Sequence, residues 1–434
     1  MRITKNVVVT ITAAAMLLLT SCMDLTKNLP EQTIEGKFQI IWDSGSGLSP
    51  ELYAVNALKE QFPNALFDTT KFLRFRYSQS GNLDATYIYD IVEKDVPGDL
   101  VMFENTLAPY LFKSGYLEPL DTYMDSSSNL SGHIQGQQMD IVREQGDGQI
   151  YGIPFGKNVY ALYYNADIFN ELEISAPTDG MTWDEVFSLA WQITEHPLRG
   201  NRAALKVPDK HLVFSQFDIR VLDSEGMPNV DSERWERASQ LYGEMTELEK
   251  FDRSTNINDV AAQFYDKQIA MIASRYLGDS SGWRNNATSG FSAPLATWDM
   301  VSFPVFADAP GTGPAPAYYY LGIPKNSTRK KEAFQLISYL LSDEPQINNS
   351  LNGLASVLNT PEVNSRFGEW TGYLSGKNIQ AFFRHPKEGT LDPEYDWDMQ
   401  SFSSTLFRKE AQLLLNDLLQ YKQRQLDKVG AIRE

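Results

Sequence analysis

The sequence predicts an α/β protein built on mostly parallel sheets with helices on both faces. The chain has 434 residues, a length typical of two to three domains. Hydrophobic residues make up 42% of it, which is enough for packed cores. Strand-like and helix-like segments alternate from residue 37 onward, and such alternation is typical of parallel sheets.

The first elements establish this alternation. Each predicted strand is a short apolar or β-branched run, and each predicted helix has apolar residues at helical spacing. The predicted strands are 37–42, 71–77 and 100–103, and the predicted helices are 49–62 and 107–114. In such sheets ligands bind outside the carboxyl ends of the strands. Those positions are residues 42–45 and 103–105.

The rest of the chain repeats the alternation. Thr182 is a predicted N-cap, and Glu185 three residues later completes a capping-box pattern for a helix that opens at Trp183. The further predicted strands are 150–154, 161–164, 269–272, 301–305 and 318–323, and the further predicted helices are 233–248, 259–266, 330–341 and 400–429.

The N-terminus has the features of a secretion signal. Arg2 and Lys5 precede an apolar run at 7–20 that is short for a spanning helix and fits a signal peptide. Leu19-Thr20-Ser21-Cys22 resembles the lipobox of bacterial lipoproteins, in which the cysteine is acylated. We therefore predict a signal peptide at 1–21, lipidation of Cys22, a lipidated tether at 22–36, and a protein held on the extracytoplasmic face of the cell membrane by its acyl chains.

Composition argues against several functions. The net charge of −18 opposes binding to nucleic acid. With one cysteine the chain has no internal disulfide framework. Its four histidines lack metal-ligand spacing, and it has no nucleophile elbow, P-loop or dinucleotide fingerprint. We predict no catalytic residues, no cofactor and no metal.

Several short motifs follow one another in a fixed order. They are Tyr151-Gly152-Ile153-Pro154-Phe155, Ala161-Leu162-Tyr163-Tyr164-Asn165, Thr182-Trp183-Asp184-Glu185, Gln268-Ile269-Ala270-Met271, Leu321-Gly322-Ile323-Pro324 and Ala355-Ser356-Val357-Leu358. The ordered set, behind a lipobox, resembles the extracellular solute-binding proteins of ABC importers, family 1, the sugar-binding, maltose-binding-protein-like type. Gln268 and Ser274-Arg275-Tyr276 depart from the family pattern.

The resemblance implies a two-lobed periplasmic-binding-protein-like fold of type II. Its lobes are joined by crossing strands and close on a ligand by a hinge. The implied N-lobe is 37–155 plus 304–343, and the implied C-lobe is 156–303 plus 344–434. The implied function is capture of a carbohydrate, with an oligosaccharide favoured, in the cleft between the lobes. Delivery to the permease subunits of an ABC importer follows, and a monomer is expected.

Sugars present hydroxyl groups around C–H faces, so a sugar site combines aromatic rings with planar polar groups. Most candidates follow predicted strands, and the family pattern adds Asn158 and the aromatic residues before the last helix. The candidate ligand-binding residues are Trp42, Asp43, Glu104, Asn105, Asn158, Arg275, Tyr276, Trp283, Tyr318, Tyr319, Tyr395 and Trp397.

These residues also have structural interpretations. Trp42 and Tyr163 fit a core, and for Trp183 the core is the better interpretation. Asp43 could cap a turn, and Glu104 and Asn105 could cap the following helix. Arg275 could pair with a structural carboxylate, and one of Tyr319 and Tyr320 should be buried because strand side chains alternate.

The sequence is also consistent with other functions. Tyr318-Tyr319-Tyr320 is similar to the paired tyrosines of ferric-ion receptors, although no His or carboxylate ligand lies beside the run. A surface enzyme acting on polysaccharide would also fit a secreted chain of this composition, and so would a sensor or adhesion lipoprotein with the same fold.

Overall fold

The computed structural model describes most of the chain after the predicted tether. The described residues are 34–44, 46–73, 96–126, 134, 136–208, 211–217, 233–248, 257–277, 297–358 and 361–389. Cys22, Trp283, Tyr395 and Trp397 lie outside them, as do the predicted signal peptide and the predicted helix at 400–429. No helix within the described ranges is long and apolar enough to cross a bilayer.

In the part of the chain that the structure describes, the first sheet has five strands in the order β2-β1-β3-β10-β4. Its strands are β1 (Gly36–Asp43), β2 (Ala65–Leu73), β3 (Leu100–Glu104), β4 (Ile153–Lys157) and β10 (Tyr318–Gly322). β1 pairs in parallel with β2 and β3, whereas β10 runs antiparallel to β3 and to β4. All described strands of this sheet except β10 therefore point the same way.

The second sheet has the order β6-β7-β5-β8. Its strands are β5 (Tyr160–Asn165), β6 (Ala203–Lys206), β7 (Ile269–Arg275) and β8 (Trp298–Ser302). Here β5 is the reversed strand, antiparallel to both β7 and β8. A separate parallel pair joins β9 (Thr312–Gly313) to β11 (Lys387–Glu388). The α/β class with mostly parallel sheets is confirmed, and β10 and β5, which follow passages between the sheets, are the exceptions.

Helices cover both sheets. They are Asn56–Gln61, Ala108–Lys113, Asp121–Ser126, Gly136–Gln145, Ala166–Glu171, Trp183–Glu195, His211–Ser215, Glu233–Leu248, Ile257–Tyr265, Lys330–Leu340, Asp343–Leu351 and Pro361–Ser365, with a π-helical turn at Glu51–Val55 and 3₁₀ turns at Asn105–Leu107, Glu369–Thr371 and Ile379–Phe383. The predicted capping box is present. Glu185 N–H donates to Thr182 Oγ1 at 3.3 Å, and Thr182 N–H donates to Glu185 Oε2 at 2.7 Å.

The cores follow the sheets. One core covers the first sheet and includes Phe38 and Phe103. The second sheet has a core on each face, one around Trp183 and the other around Tyr163 and Tyr265. The predicted core placement of Trp183 is confirmed, since its side chain is fully buried and its indole N–H donates to Gln216 Oε1 at 2.9 Å.

Within the described ranges, the chain passes between the sheets at three places. Asn158 and Val159 link β4 directly to β5. On the return, Phe303 and Phe306 still pack in the core around Trp183, so the chain rejoins the first sheet at Tyr318 and not at residue 304. The third passage is near Ala355, where Lys157 and Ala355 form an isolated antiparallel bridge. Leu354, beside it, belongs to the first core.

Candidate solute-binding site

Strand direction brings five polar side chains to one edge of the first sheet. β1 ends at Asp43, β3 ends at Glu104 and β4 ends at Lys157. Because β10 runs the opposite way, it begins at this same edge, with Tyr319 opposite Glu104 and Tyr318 opposite Lys157. This is the edge where ligands bind in parallel sheets.

One edge of the second sheet adjoins the first through the short link at Asn158 and Val159. β5 begins there at Tyr160, which lies opposite Arg275 at the end of β7. β8 ends on the other side of β5, with Ser302 opposite Ala161. Tyr276 N–H donates to Val159 O at 2.8 Å, so the end of β7 is attached to the link itself. Residues of both sheets therefore surround the passage between them.

Tyr319 and Asn158 are two predicted ligand-binding residues that the fold brings into contact. The Tyr319 hydroxyl donates to Asn158 Oδ1 at 3.2 Å, and Asn158 N–H donates to Ala317 O at 2.9 Å. Tyr319 is buried. Glu104, directly opposite Tyr319 in the sheet, is half-buried. Glu104, Asn158 and Tyr319 thus form a cluster of polar side chains beside the link between the two sheets.

Tyr318 lies in a charged environment. Its hydroxyl donates to Glu388 Oε2 at 2.5 Å, and Lys157 Nζ donates to Glu388 Oε1 at 2.5 Å. Burial raises the pKa of Tyr318 well above its ordinary value, and the adjacent Glu388 carboxylate raises the pKa further. The phenol is therefore neutral and a hydrogen-bond donor at physiological pH.

The residues after β1 and β3 have structural partners as well. The Asp43 side chain is buried, and its Oδ1 accepts from Ser46 N–H at 3.2 Å, which fixes the following turn. Asn105 begins a 3₁₀ turn, and its Oδ1 is buried with no partner among the described residues. Trp42 is half-buried against the first core, and its indole N–H donates to Thr69 O at 2.9 Å, across to β2.

The two predicted ligand-binding residues at the end of β7, Arg275 and Tyr276, lie in different environments. Arg275 is half-buried at the strand end. The ring of Tyr276 is buried and packs edge-on against Phe367 and Phe382, with centroids 5.5 and 6.0 Å away. Tyr276 thus contributes mainly to the core, while Arg275 stays at the edge between the sheets.

Sequence reasoning missed several groups of this region. Lys157 and Tyr160 are adjacent to predicted positions, and Tyr160 Oη accepts from Ala317 N–H at 3.2 Å. His385 packs its ring against Gly313, and its Nε2 is buried with no partner among the described residues. Glu388 gave no local signal, because its contact with Tyr318 spans 70 residues of sequence.

No group of three or more His, Cys, Asp or Glu residues that could hold a metal ion occurs in the described part of the chain. The chemistry available at the passage between the sheets is hydrogen bonding, ion pairing and aromatic contact. These features lie on two α/β lobes joined by crossing segments, so the fold is that of a two-lobed protein with polar residues at the passage between its lobes.

Comparison with known proteins identifies the family. A model of the bacterial extracellular solute-binding protein family matches residues 58–374, and the chain belongs to this family. An uncharacterized ABC transporter extracellular-binding protein of Pyrococcus horikoshii is 22% identical over 338 residues, which is 74% of this chain and 72% of that protein. The family consists of extracellular solute-binding proteins, and the relative is the extracellular-binding protein of an ABC transporter; both are binding proteins and not enzymes, as the sequence led us to expect.

Solved structures share the two-lobed fold. An ABC substrate-binding protein of Listeria monocytogenes in complex with cycloalternan superposes with a TM-score of 0.63 at 15% identity, covering 92% of this chain and 99% of that one. A solute-binding protein of Thermotoga lettingae bound with α-D-tagatose gives a TM-score of 0.60 at 17% identity, covering 92% and 100%. At this level of identity the similarity establishes the fold.

Proposed function

We propose that this protein captures a carbohydrate, with an oligosaccharide favoured, in a cleft between its two lobes and delivers it to the permease subunits of an ABC importer. The main support is the clustering of Glu104, Asn158 and Tyr319 at the passage between the sheets, with Arg275 on the facing edge. A carboxylate, an amide, a phenol and a guanidinium match the donors and acceptors of sugar hydroxyls.

The relatives support the substrate class. Solved proteins with the same fold hold cycloalternan and α-D-tagatose, which are both carbohydrates. The proposed contacts comprise all twelve residues named from the sequence. Among them, Tyr276 and Asp43 are the weakest candidates, because the structure gives both a packing or turn role.

The proposed lobes differ from the boundaries expected from the sequence where the chain passes between the sheets. Residues 304–317 join the C-lobe, because Phe306 packs with Trp183 at a centroid distance of 6.4 Å. The N-lobe is then 37–157 plus 318–343, together with the segment 354–358, whose Leu354, Val357 and Leu358 pack in the first core. We also propose that the protein is a monomer and that Cys22 carries the lipid that holds it at the membrane.

The binding proposal is tested with the lipid-free chain 23–434 and a panel of mono- and oligosaccharides. Thermal-shift screening finds the ligand, and calorimetry then gives its dissociation constant. A ligand at a hundred times its dissociation constant should stabilise the protein by about 2.7 kcal/mol. Absence of any shift across a broad panel, in a protein that is folded by circular dichroism, would refute the proposed substrate class.

The lipid anchor is tested separately. The parent and a Cys22→Ser variant are expressed in full length in a bacterium that processes lipoproteins. We expect the parent in the membrane fraction, with a mature mass that begins at an acylated Cys22, and the variant unacylated. A parent that begins at another residue and carries no acyl group would contradict this part of the proposal.

The ferric-ion hypothesis has less support. The hydroxyls of Tyr318, Tyr319 and Tyr320 have three separate partners, which are Glu388, Asn158 and Gln138. Tyr320 is fully buried in the first core. The three phenols therefore do not converge on one point, as a shared metal ion would require.

A further inference from the structure

Lys157 is the residue at which the three passages between the lobes meet. It ends β4, directly before the first passage, and lies opposite Tyr318, where the returning chain enters β10. Its backbone exchanges two hydrogen bonds with Ala355 of the third passage, at 2.9 and 3.1 Å. Movement of either lobe must therefore be accommodated close to this residue.

Glu388 is not part of any of the three passages, but its side chain contacts Lys157 and Tyr318 beside them. One carboxylate oxygen accepts from Lys157 Nζ and the other from the Tyr318 hydroxyl, both at 2.5 Å. Its backbone belongs to β11, which pairs with β9, and Gly389 N–H donates to Gly313 O at 2.9 Å. Gly313 lies on the returning chain before Tyr318. Glu388 and Gly389 together thus hold the returning chain at Tyr318 and Gly313, and Glu388 also holds Lys157 at the end of β4.

The contact is sheltered from water. The Lys157 side chain is 14% exposed and that of Glu388 is 28% exposed, whereas the Arg366–Glu369 pair on the surface of the C-lobe is 44% and 45% exposed. A partly buried pair is screened less by salt and gives stronger, more directional bonds than a surface pair. Both oxygens of Glu388 are used, so its orientation is fixed.

We infer that Glu388 is a positioning residue for solute binding, because its bonds to Lys157 and Tyr318 hold the passages in one geometry and so set the separation of the lobes. This inference rests on the proposed function, in which the lobes close on the solute. A two-state hinge responds to any contact that differs in energy between its states. Loss of this contact therefore changes the distribution of lobe separations even without ligand.

The separation is measured by double electron–electron resonance on the lipid-free chain 23–434. This chain lacks Cys22, the sole cysteine, so labels attach only to introduced Lys59→Cys and Ser188→Cys. Lys59 is exposed on the helix Asn56–Gln61 of the N-lobe, and Ser188 is exposed on the helix Trp183–Glu195 of the C-lobe. We expect Glu388→Gln and Lys157→Gln to shift or broaden the distance distribution beyond the width seen in the parent.

Two controls separate positioning from general loss of structure. Glu369→Gln removes an ion pair of the same type that lies away from the passages, and its distance distribution should match that of the parent. The charge exchange Lys157→Glu with Glu388→Lys should recover a distribution closer to the parent than either single exchange. Distributions unchanged in folded Glu388→Gln and Lys157→Gln proteins, or unfolding of both variants, would overturn the inference.

The readout needs no sugar. If no carbohydrate binds but the distances change as expected, the positioning role stands and the proposed substrate class fails. If sugars bind to the parent but the distances are unchanged in the variants, the proposed function stands and the inference fails.

Discussion

The Tyr319 hydroxyl donates to Asn158 Oδ1 at 3.2 Å and so joins the returning chain to the link between the two sheets. The two residues are 161 positions apart in sequence. The sequence predicts that each of them contacts the ligand. The structure shows that the two residues contact each other. A solute that contacts Tyr319 and Asn158 either forms additional hydrogen bonds with them or replaces the hydrogen bond between them.

Removal of the polar group of either residue should weaken binding, because both residues are proposed contacts of the sugar. Tyr319→Phe and Asn158→Ala each delete one side of the pair, and we expect the dissociation constant for the best sugar of the panel to rise about five-fold or more, since a hydrogen bond contributes about 1 kcal/mol. Calorimetry measures the constant. Tyr151→Phe is the matched control, because that hydroxyl donates to Gln149 in an exposed position and should leave binding unchanged.

A second prediction concerns the core of the C-lobe. Trp183→Ala should lower the free energy of unfolding by about 3–5 kcal/mol, because it leaves a cavity and removes the partner of Gln216 Oε1. Urea unfolding followed by circular dichroism measures the loss. Trp370→Ala is the matched control. Trp370 is 61% exposed, so its replacement should change stability by no more than about 0.5 kcal/mol. Equal effects of the two replacements would contradict the packing described for Trp183.

The packing of the passages gives a third prediction. A Cβ atom at Gly156 would lie 2.6 Å from Leu354 Cδ2, closer than real Cβ contacts. Gly156→Ala should therefore lower the free energy of unfolding by about 1–3 kcal/mol. Leu354→Ala removes the clash, so the double variant should be less destabilised than the sum of the single changes, as a double-mutant cycle by urea unfolding will show. Simple additivity would show that the two residues do not meet.

The pH dependence of stability gives a fourth prediction. Burial lowers the pKa of His385 below its ordinary value of 6.5. Two weaker influences raise this pKa, namely the hydrogen bond of His385 to the Phe303 backbone and the nearby carboxylate of Asp179. Asp179 also forms an ion pair with Arg384. The unfolded chain then binds a proton more readily than the folded protein, so stability falls as the pH drops below about 6.5. His385→Gln should flatten this part of the profile, measured as the midpoint of urea unfolding against pH. A variant whose profile parallels that of the parent would contradict the role of His385.

The sequence predicted local structure well where one short segment contains the whole signal. The capping box at Thr182 and Glu185 depends on residues three positions apart, and it formed as predicted. The helix at 330–341 has a continuous apolar face and is present as Lys330–Leu340. The second strand begins earlier than predicted, since β2 begins at Ala65 and the prediction began at residue 71; residues 74–77 of the predicted strand lie outside the described residues. Among the described strands, β2 lies at one edge of its sheet and has partly exposed side chains, so its apolar pattern is weak.

By itself, the sequence determined the α/β class, the family resemblance and the strand ends at which polar residues gather, because alternation, capping and motif order are local properties of the chain. Only the tertiary structure decided which of those residues meet. It joined Tyr319 to Asn158, turned Tyr276 into the core, and brought Glu388 to Lys157 and Tyr318. The physical reason is that hydrogen bonds and ion pairs act over a few ångströms, and strand direction and sheet order set which distant residues come that close.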